Sequence, residues 1–358
     1  MNQAATILVA PLNWGLGHAT RCIPIIRELL ATHHRVIIGS DGAALQLLQK
    51  EFPELTSVVL PAYNIHYQKK GGDFKKTILR QSPLILKAIY KEHKLLQQLI
   101  EKHNITGVIS DNRLGLYTRK VPTVFITHQL QVLSGMTTGL TTWMHHKFIK
   151  RFDECWIPDV DGRFNLSGQL GHPKQLGFPV KYIGALSRFK KEKLPFKYRV
   201  LVLLSGPEPQ RSVLEDILQK ALKKYNGPVL FVRGVLTEDE EEYLQKGNLN
   251  IVNYLTSEVL EKAINSCEFV ISRSGYTSIL DLAALEKKAF FIPTPGQMEQ
   301  EYLAERLHKK GIAPYATQDT FTLKNLTKIA AYKGFTSFGH EAPALREFFG
   351  FFERKGEL

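Results

Sequence analysis

The sequence has few cysteines and no long apolar run, and each of these features argues against certain classes of protein. Three cysteines occur in 358 residues, without Cys-x-x-Cys or Cys/His spacing, which argues against a disulfide framework and a zinc site. No stretch approaches the roughly 18 apolar residues of a transmembrane helix. The N-terminus, MNQAATILVAPLNWG, lacks the basic region of a signal peptide and is typical of a first strand. We therefore expect a cytoplasmic protein.

Acidic residues are also in the minority, since the net charge is +13. Residues 1–185 hold 22 Lys and Arg against 12 Asp and Glu, and much of this excess lies between His66 and His103. Such a segment attracts phosphates of nucleic acid, anionic lipid or a phosphorylated substrate, or is simply a solvated helix face. Nucleic acid is not an expected partner, because the basic half has no interleaved aromatic residues or recognisable motif.

Short apolar runs alternate with helical patterns along most of the chain, which indicates an α/β fold with parallel sheets. Strands are predicted at TILVAP, RVIIG, SVVLP, GVIS and TVFIT, and again at RVLVLLS, PVLFVR, LNIVN, FVISR and AFFIP. We predict Rossmann-like domains at 1–186 and 198–340, a linker between them, and an amphipathic helix at 341–358 that crosses back to the first domain. Ligands bind beyond the carboxyl ends of such strands, so two facing sheets would form an interdomain cleft.

The loop after the first strand has the composition of a ligand-binding turn. Gly15 and Gly17 allow close backbone approach and expose N–H groups at the start of a helix. Position 20 is Thr, where a dinucleotide fingerprint has Gly or Ala, and no acid ends the next strand, so a nicotinamide site is not favoured. His18 begins the helix, where it is either a general base or a residue that lines the turn.

Three further helix starts in the second half carry polar residues. Each of these helix starts comes just after a predicted strand. The residues are Ser205, Gly206, Gln210 and Arg211 at the first start, Arg273, Ser274 and Gly275 at the second, and Glu299 and Gln300 at the third. Ser274, then Thr277 or Ser278, and Asp281 also form a polar stripe at three- and four-residue spacing on an otherwise apolar helix. Together these residues predict a site for a large, polyhydroxylated, phosphorylated ligand, with Arg211 suited to phosphate.

The stretch SRSGYTSILDLAALEKKAFFIPTPGQMEQEYLAERL resembles the nucleotide-sugar half of MurG-like glycosyltransferases, which are GT-B enzymes. The segments GLGHATRCIPII and VPTVFITHQLQ resemble the Gly-Gly-His turn and the acceptor-side loop of that family. The similarity is strongest over Val200–Leu307 and weaker over Ile7–Ile26 and Val121–Gln131. It implies transfer of a hexose, such as N-acetylglucosamine, from a UDP-sugar to a hydroxyl acceptor that is lipid-linked or part of the cell envelope.

The resemblance also implies roles for individual residues. Asp281 stands where the family has a Glu that binds the ribose, and it is one methylene shorter. Arg273 and Ser274 fall beside the nucleotide, and Glu299 and Gln300 fall where sugar hydroxyls are held. Tyr254 and Leu255 fall near the backbone that receives uracil. The UDP-sugar is a co-substrate, and neither a further cofactor nor a metal is expected; the lone Asp-x-Asp at Asp159 and Asp161 is not favoured as a metal site.

On the acceptor side, His18 is expected to take the proton of the attacking hydroxyl, and His128 is a second candidate base. The acceptor contacts are expected from Gln129 and from Asp111, Asn112 and Arg113, which alternatively serve only as turn residues. A UDP-sugar epimerase or hydrolase on the same fold is the alternative activity. The basic segment and the nearby HHKFIKR would suit peripheral binding at the anionic inner face of the cytoplasmic membrane.

Overall fold

A computed structural model describes residues 4–63, 74–162, 164–206, 208–235, 244–336 and 344–353. The chain divides into two compact units. Unit 1 comprises Met1–His66, Lys75–Leu186 and Glu341–Leu358, and unit 2 comprises Tyr67–Phe74 and Ser187–His340. No helix among the described residues is long and apolar enough to cross a bilayer.

Unit 1 is built on a seven-stranded parallel sheet. Its strands are β1 (Thr6–Pro11), β2 (Arg35–Ser40), β3 (Thr56–Val59), β4 (Gly107–Asp111), β5 (Thr123–Ile126), β6 (Glu154–Ile157) and β7 (Lys181–Tyr182). Their order is β3-β2-β1-β4-β5-β6-β7. Because helices cover both faces of such a sheet, its central strands are apolar throughout, and Ile7, Leu8 and Val9 are all fully buried.

The helices of unit 1 are α1 (Gly17–Ala31), α2 (Gly42–Glu51), α3 (Phe74–His103) and α4 (Thr138–Ile149). In α1, Cys22, Ile25, Ile26 and Leu29 recur at three- and four-residue spacing and are fully buried. This stripe fixes the rotation of α1 about its axis. That rotation determines the direction in which the side chains of the first helical turn of α1 point.

Unit 2 contains a six-stranded sheet in the order β10-β11-β9-β8-β12-β13. The strands are β8 (Tyr198–Leu203), β9 (Val229–Val232), β10 (Leu244–Lys246), β11 (Leu249–Val252), β12 (Cys267–Ser272) and β13 (Lys288–Phe291). All neighbours are parallel except β10, which pairs antiparallel with β11. The helices are α5 (Gln210–Leu222), α6 (Ser257–Asn265), α7 (Tyr276–Ala284) and α8 (Met298–Lys309).

The two-sheet α/β architecture is the fold class that the sequence predicted, but two local predictions were wrong. Residues 187–197, which the sequence predicted to be a linker, are part of unit 2: Ser187 donates to Asp281, and the Glu192 N–H donates to Asn265. The C-terminal segment is not one helix; it forms a 3₁₀ turn, Leu345–Phe348, followed by the short helix α9 (Gly350–Glu353).

The C-terminal segment does return to unit 1. The ring of Phe352 lies 6.2 Å from that of Trp156 on β6. At Gly107, the first residue of β4, an added Cβ would lie only 2.4 Å from the Phe352 ring. Glycine is therefore required there by the close approach of the C-terminal aromatic residue.

Candidate active site

The carboxyl edge of the unit 1 sheet begins with the turn between β1 and α1. Gly15 has φ 77°, a left-handed conformation that favours glycine, and an added Cβ would meet no atom within 4 Å. Gly17 is the first residue of α1, so His18 stands in its first turn. The side chain of His18 is 14% exposed, which leaves a small part of the ring accessible.

His18 is paired with Asp111, the last residue of β4. Its Nδ1 lies 2.7 Å from Asp111 Oδ1, and the Asp111 carboxylate is fully buried. The guanidinium of Arg21, one turn along α1, also donates to both oxygens of Asp111 through Nε and Nη2. An arginine fork on a carboxylate is a strong, directional interaction, so Asp111 is held in a fixed orientation beside His18.

This arrangement keeps Asp111 charged and His18 neutral at physiological pH. Burial by itself raises the pKa of Asp111, but the charges and hydrogen bonds of Arg21 and His18 hold it well below its usual range. Burial and the Arg21 charge lower the pKa of His18, and Asp111 opposes them only in part. A neutral imidazole beside a carboxylate can accept a proton from a hydroxyl group.

His128 lies in the loop after β5 and joins the same cluster. The residue is 5% exposed, and its Nδ1 is 3.0 Å from Arg21 Nη1. The loop is held by α4, since His146 Nε2 is 2.8 Å from Leu130 O and the Val132 N–H donates to Thr142 Oγ. Within the loop the Gln129 N–H donates to Thr127 Oγ. Two of the expected acceptor-side residues, His18 and His128, therefore meet at one arginine.

Of the expected acceptor contacts after β4, Asn112 lies beside this cluster and Arg113 does not. Asn112 adopts φ 60°, and its Nδ2 is 3.5 Å from His18 Nδ1. Arg113 is fully buried and donates to Glu92, Asp41 and Pro61 O. The expectation that Arg113 contacts an acceptor is therefore corrected: its donors are used to join the loops after β2 and β3 to α3.

The Asp-x-Asp pair has a structural explanation. Asp159 is fully buried and accepts the N–H groups of Leu166 and Ser167 and the hydroxyl of Ser167. Asp161 accepts the N–H of Gly162. Among the described residues no group of His, Cys, Asp and Glu is arranged to hold a metal ion.

In unit 2, Arg273 connects the loops at the carboxyl edge of the sheet. It follows β12, is 2% exposed, and donates to Ile292 O and Pro293 O after β13 and to Gln210 O at the start of α5. Its other partner is Gln318 Oε1, at 2.7 Å. Arg273 therefore lies at the expected turn, but its guanidinium shapes the loops and is not exposed to a ligand.

Ser274 and Gln300 join the second and third loops. The Ser274 hydroxyl donates to Gln300 O over 2.7 Å, and Gln300 Oε1 accepts the N–H of Thr294 over 2.8 Å. The next residue, Gly275, is the N-cap of α7 and makes no side-chain capping bond, and an added Cβ there would meet nothing within 4 Å. The start of α7 is therefore not covered by a side chain of its N-cap residue.

The first loop differs from expectation in the role of Arg211. Gly206 has φ 107° with open space beside it, as a close backbone approach to a ligand requires. Arg211, however, donates to Glu208 over 2.7 Å and to Glu215 over 2.6 Å. Since two carboxylates already compensate its charge, Arg211 does not offer the uncompensated cation that the sequence predicted for phosphate.

Asp281 is on α7 and accepts a hydrogen bond from Ser187 Oγ at 2.7 Å. Burial raises the pKa of Asp281 to about 6, while the Arg188 charge and the Ser187 hydrogen bond oppose this shift. The remaining expected donor-side residues also lie at this edge. Tyr254 and Leu255 are buried in the loop between β11 and α6, Thr277 is half-buried in the first turn of α7, Glu299 is half-buried in the first turn of α8, and Ser205 is half-buried after β8.

Sequence reasoning missed two residues of these clusters. Arg21 could have been found, because it lies three residues after His18 and therefore on the same side of the helix. Ser187 gave no signal, since its contact with Asp281 spans 94 residues.

The chain is similar to known glycosyltransferases. Residues 210–331 match the model of the glycosyltransferase family 28 C-terminal domain. An uncharacterized glycosyltransferase of Methanosarcina mazei is 32% identical over 324 residues, covering 83% of this chain and 82% of that protein. The UDP-N-acetylglucosamine--N-acetylmuramyl-(pentapeptide) pyrophosphoryl-undecaprenol N-acetylglucosamine transferase of Natranaerobius thermophilus is 23% identical over 336 residues, covering 87% of this chain and 86% of that protein.

Solved structures agree in fold. MurG of Acinetobacter baumannii has a TM-score of 0.54 at 14% identity, with 92% of this chain and 93% of that chain covered. LpCGTa in complex with UDP has a TM-score of 0.57 at 13% identity, with 98% of this chain and 99% of that chain covered.

Proposed function

The chain belongs to the MurG-like GT-B glycosyltransferases, and from this premise we propose that it transfers a hexose, with N-acetylglucosamine foremost, from a UDP-sugar to a hydroxyl acceptor. The observation that carries the proposal is the buried His18–Asp111 pair at the carboxyl edge of the unit 1 sheet. The glycosyltransferase family supports transfer over epimerisation or hydrolysis of the donor.

In the proposed reaction His18 Nε2 takes the proton of the acceptor hydroxyl as its oxygen attacks the anomeric carbon. A new carbon–oxygen bond forms while the bond from that carbon to the β-phosphate oxygen breaks, and UDP leaves with the electron pair. Asp111 stabilises the imidazolium that forms, because its fully buried carboxylate lies 2.7 Å from the ring. General base catalysis of this kind contributes about 10²- to 10⁴-fold to a rate.

The donor is proposed to bind unit 2. The open turn at Gly206 and the start of α7, whose N-cap residue Gly275 has no side chain, are suited to the diphosphate. Asp281 is proposed to accept hydrogen bonds from the ribose hydroxyls, and Gln300 and Glu299 to hold the sugar. UDP is supported as the nucleotide by the activity for which the Natranaerobius relative is named and by the UDP complex of LpCGTa.

The donor proposal is tested by calorimetry with UDP-, dTDP- and GDP-sugars. We expect saturable binding of UDP-N-acetylglucosamine and its loss in Asp281→Ala, whereas His18→Gln should bind as the wild type does. Preference for a GDP- or dTDP-sugar would overturn the choice of UDP. Undiminished affinity in Asp281→Ala would overturn the ribose assignment.

An anionic membrane surface is the proposed partner of unit 1. Leu140, Trp143 and Met144 form one face of α4 and are 59%, 54% and 45% exposed, and Met136 just before it is fully exposed. Lys147 continues this face, with its Nζ 3.7 Å from the centre of the Trp143 ring. An exposed apolar stripe bordered by lysine suits the boundary between lipid headgroups and acyl chains.

Charge on the neighbouring helix supports the same partner. Phe148 of α4 packs in one cluster with Ile85 and Ile89 of α3. Lys87, Lys91 and Lys94 are exposed on α3, and the sole acid in residues 83–100 and 135–151 is Glu92, which is buried. Residues 66–73 of the predicted basic segment, including Lys69 and Lys70, lie outside the described residues.

Cosedimentation with vesicles that contain phosphatidylglycerol tests the membrane proposal. We expect salt-sensitive binding that is weakened by Trp143→Ser but not by Phe196→Ser, a control in unit 2 where the aromatic residue is even more exposed, at 70% against 54% for Trp143. A wild-type protein that does not bind these vesicles at low salt would refute it.

A further inference from the structure

The segment HHKFIKR, whose charge suits membrane binding, begins with two histidines that contact the loop after β5. His145 and His146 are both half-buried on α4. The loop, which we name the acceptor-side loop, comprises residues 128–134. Its first residue belongs to the cluster of polar side chains in unit 1, because His128 Nδ1 lies 3.0 Å from Arg21 Nη1.

His146 holds the backbone of the acceptor-side loop at Leu130. Its Nε2 lies 2.8 Å from Leu130 O, and a carbonyl oxygen can only accept, so the ring donates from Nε2. The ring also packs edge-on against Phe178, with 5.0 Å between the ring centres. The side chain of Leu130 is itself fully buried. These contacts fix a loop residue two positions after His128.

His145 contacts the preceding residue of the loop. Burial lowers the pKa of His145 to about 4, although a hydrogen bond with the backbone of Gln129 opposes this shift. A hydrogen bond that raises the pKa of an imidazole is one in which the ring donates, so the acceptor is the Gln129 carbonyl. The ring also lies edge-on to Phe125 of β5, at 5.8 Å between the ring centres. His145 is therefore uncharged at neutral pH and joins α4 to the loop.

Threonines of α4 bind the rest of the loop. The Val132 N–H donates to Thr142 Oγ1 over 3.1 Å, and the Ser134 N–H donates to Thr138 Oγ1 over 3.0 Å. Together with the two histidines, these side chains hold the loop backbone along most of its length. The conformation of the acceptor-side loop therefore depends on α4 and not on the loop sequence alone.

We propose that His145 and His146 are positioning residues for the acceptor: by fixing the backbone of the acceptor-side loop, they hold His128 against Arg21. The inference rests on the proposed transfer reaction for its catalytic consequence. Both histidines contact the loop backbone, so they act through His128 and not on the acceptor itself. A displacement of about 1 Å at a site can cost about 100-fold in rate, so contacts of this kind affect transfer from a distance.

Hydrogen exchange tests the loop contacts without any substrate. His146→Phe removes the N–H donor and keeps an aromatic ring against Phe178, whereas His146→Gln keeps a side-chain N–H donor. We expect the amides of residues 129–134 to exchange about tenfold faster in His146→Phe and in His145→Phe, and at close to the wild-type rate in His146→Gln. The amides of β5 are the internal control. Unchanged loop exchange in folded His146→Phe, or equal acceleration in β5, would overturn the inference.

Thr142→Val is the second variant, for the case in which the phenylalanine variants do not fold. It removes the hydroxyl that accepts the Val132 N–H and keeps the size of the side chain. We expect faster exchange in the acceptor-side loop with an unchanged β5. Loop exchange as in the wild type would refute the dependence of this loop on α4.

Kinetics test the positioning role, with UDP-N-acetylglucosamine as donor and polar lipids as acceptor. His146→Phe should raise the KM for the lipid about tenfold, and His146→Gln should restore most of the loss. Donor affinity measured by calorimetry should be unchanged, because the donor is proposed to bind unit 2. A purely structural role would lower the melting temperature and leave the lipid KM of the folded enzyme unaltered. That result, or an equal loss of donor affinity, would overturn the positioning role.

The inference and the proposed function can fail separately. Faster loop exchange in His146→Phe, in a protein that transfers no sugar, would leave the loop contacts established and refute the proposed function. Sugar transfer with the same lipid KM in the wild type and in His146→Phe would refute the inference alone.

Discussion

Lowering the pH is expected to weaken the binding of a UDP-sugar, because Asp281 must be ionised to accept hydrogen bonds from the ribose hydroxyls. Burial raises the pKa of this carboxyl to about 6, and the opposing Arg188 charge and Ser187 hydrogen bond do not cancel that effect. One oxygen is already bonded to Ser187, so the ribose relies on the remaining acceptor capacity of the group. Protonation converts that acceptor into a donor.

The size of the effect follows from the fraction of ionised Asp281. With a pKa of about 6, that fraction falls about tenfold between about pH 7 and about pH 5, which corresponds to about 1.4 kcal/mol of binding free energy. An exposed aspartate with an ordinary pKa would remain mostly ionised over this range. The predicted loss of affinity therefore depends on the burial of this side chain.

Isothermal titration calorimetry of UDP-N-acetylglucosamine across this range measures the effect. The sugar nucleotide is a better ligand for this titration than UDP, because the terminal phosphate of UDP itself takes up a proton at about pH 6. Asp281→Asn is the matched control: its affinity should be low and independent of pH. A wild-type affinity that stays constant between about pH 7 and about pH 5 would refute the reasoning.

Three further predictions concern stability. Folding raises the pKa of Asp281 from its usual value to about 6, so the folded state loses stability as the pH rises between these two values. Asp281→Asn removes the buried charge and should therefore raise the free energy of unfolding above about pH 7 by on the order of 3 kcal/mol. An unchanged melting temperature would contradict this. Arg113→Met should cost about 3 to 5 kcal/mol in urea denaturation, since it leaves buried Glu92 without its cation; a neutral effect would show that the pair is dispensable. Gly107→Ala should displace Phe352 from β4 and make the C-terminal segment easier to cleave in limited proteolysis. An unchanged rate of cleavage would contradict that packing.

The fold could be predicted from the sequence because its central strands are short apolar runs followed by recognisable turns. Three strands were missed: β7 has only two residues, all three residues of β10 are exposed, and β6 is an interior strand with only three buried residues, Cys155, Trp156 and Ile157. The C-terminal helix was predicted from its phenylalanine spacing, but the chain breaks into a 3₁₀ turn before α9. Contacts with β4 and β6, which sequence periodicity does not encode, determine that shape.

The candidate site could be predicted where its residues follow strands, as His18, His128 and Asp281 do. The polar residues were found, but not their partners. Arg113 and Arg211 looked like ligand-binding cations, and only the three-dimensional structure shows the carboxylates that compensate them. Charge compensation over long sequence separations is not visible in a single sequence, so buried arginines are easily taken for functional ones.

The central claim is tested most directly by analysing the products formed from UDP-N-acetylglucosamine in the presence of polar lipids and soluble hydroxyl compounds. We expect release of UDP together with an acceptor that has gained one sugar, as seen by mass spectrometry, and the loss of both products in His18→Gln while donor binding persists. Conversion of the donor to free sugar or to an epimer, with no glycosylated acceptor and no dependence on His18, would contradict it.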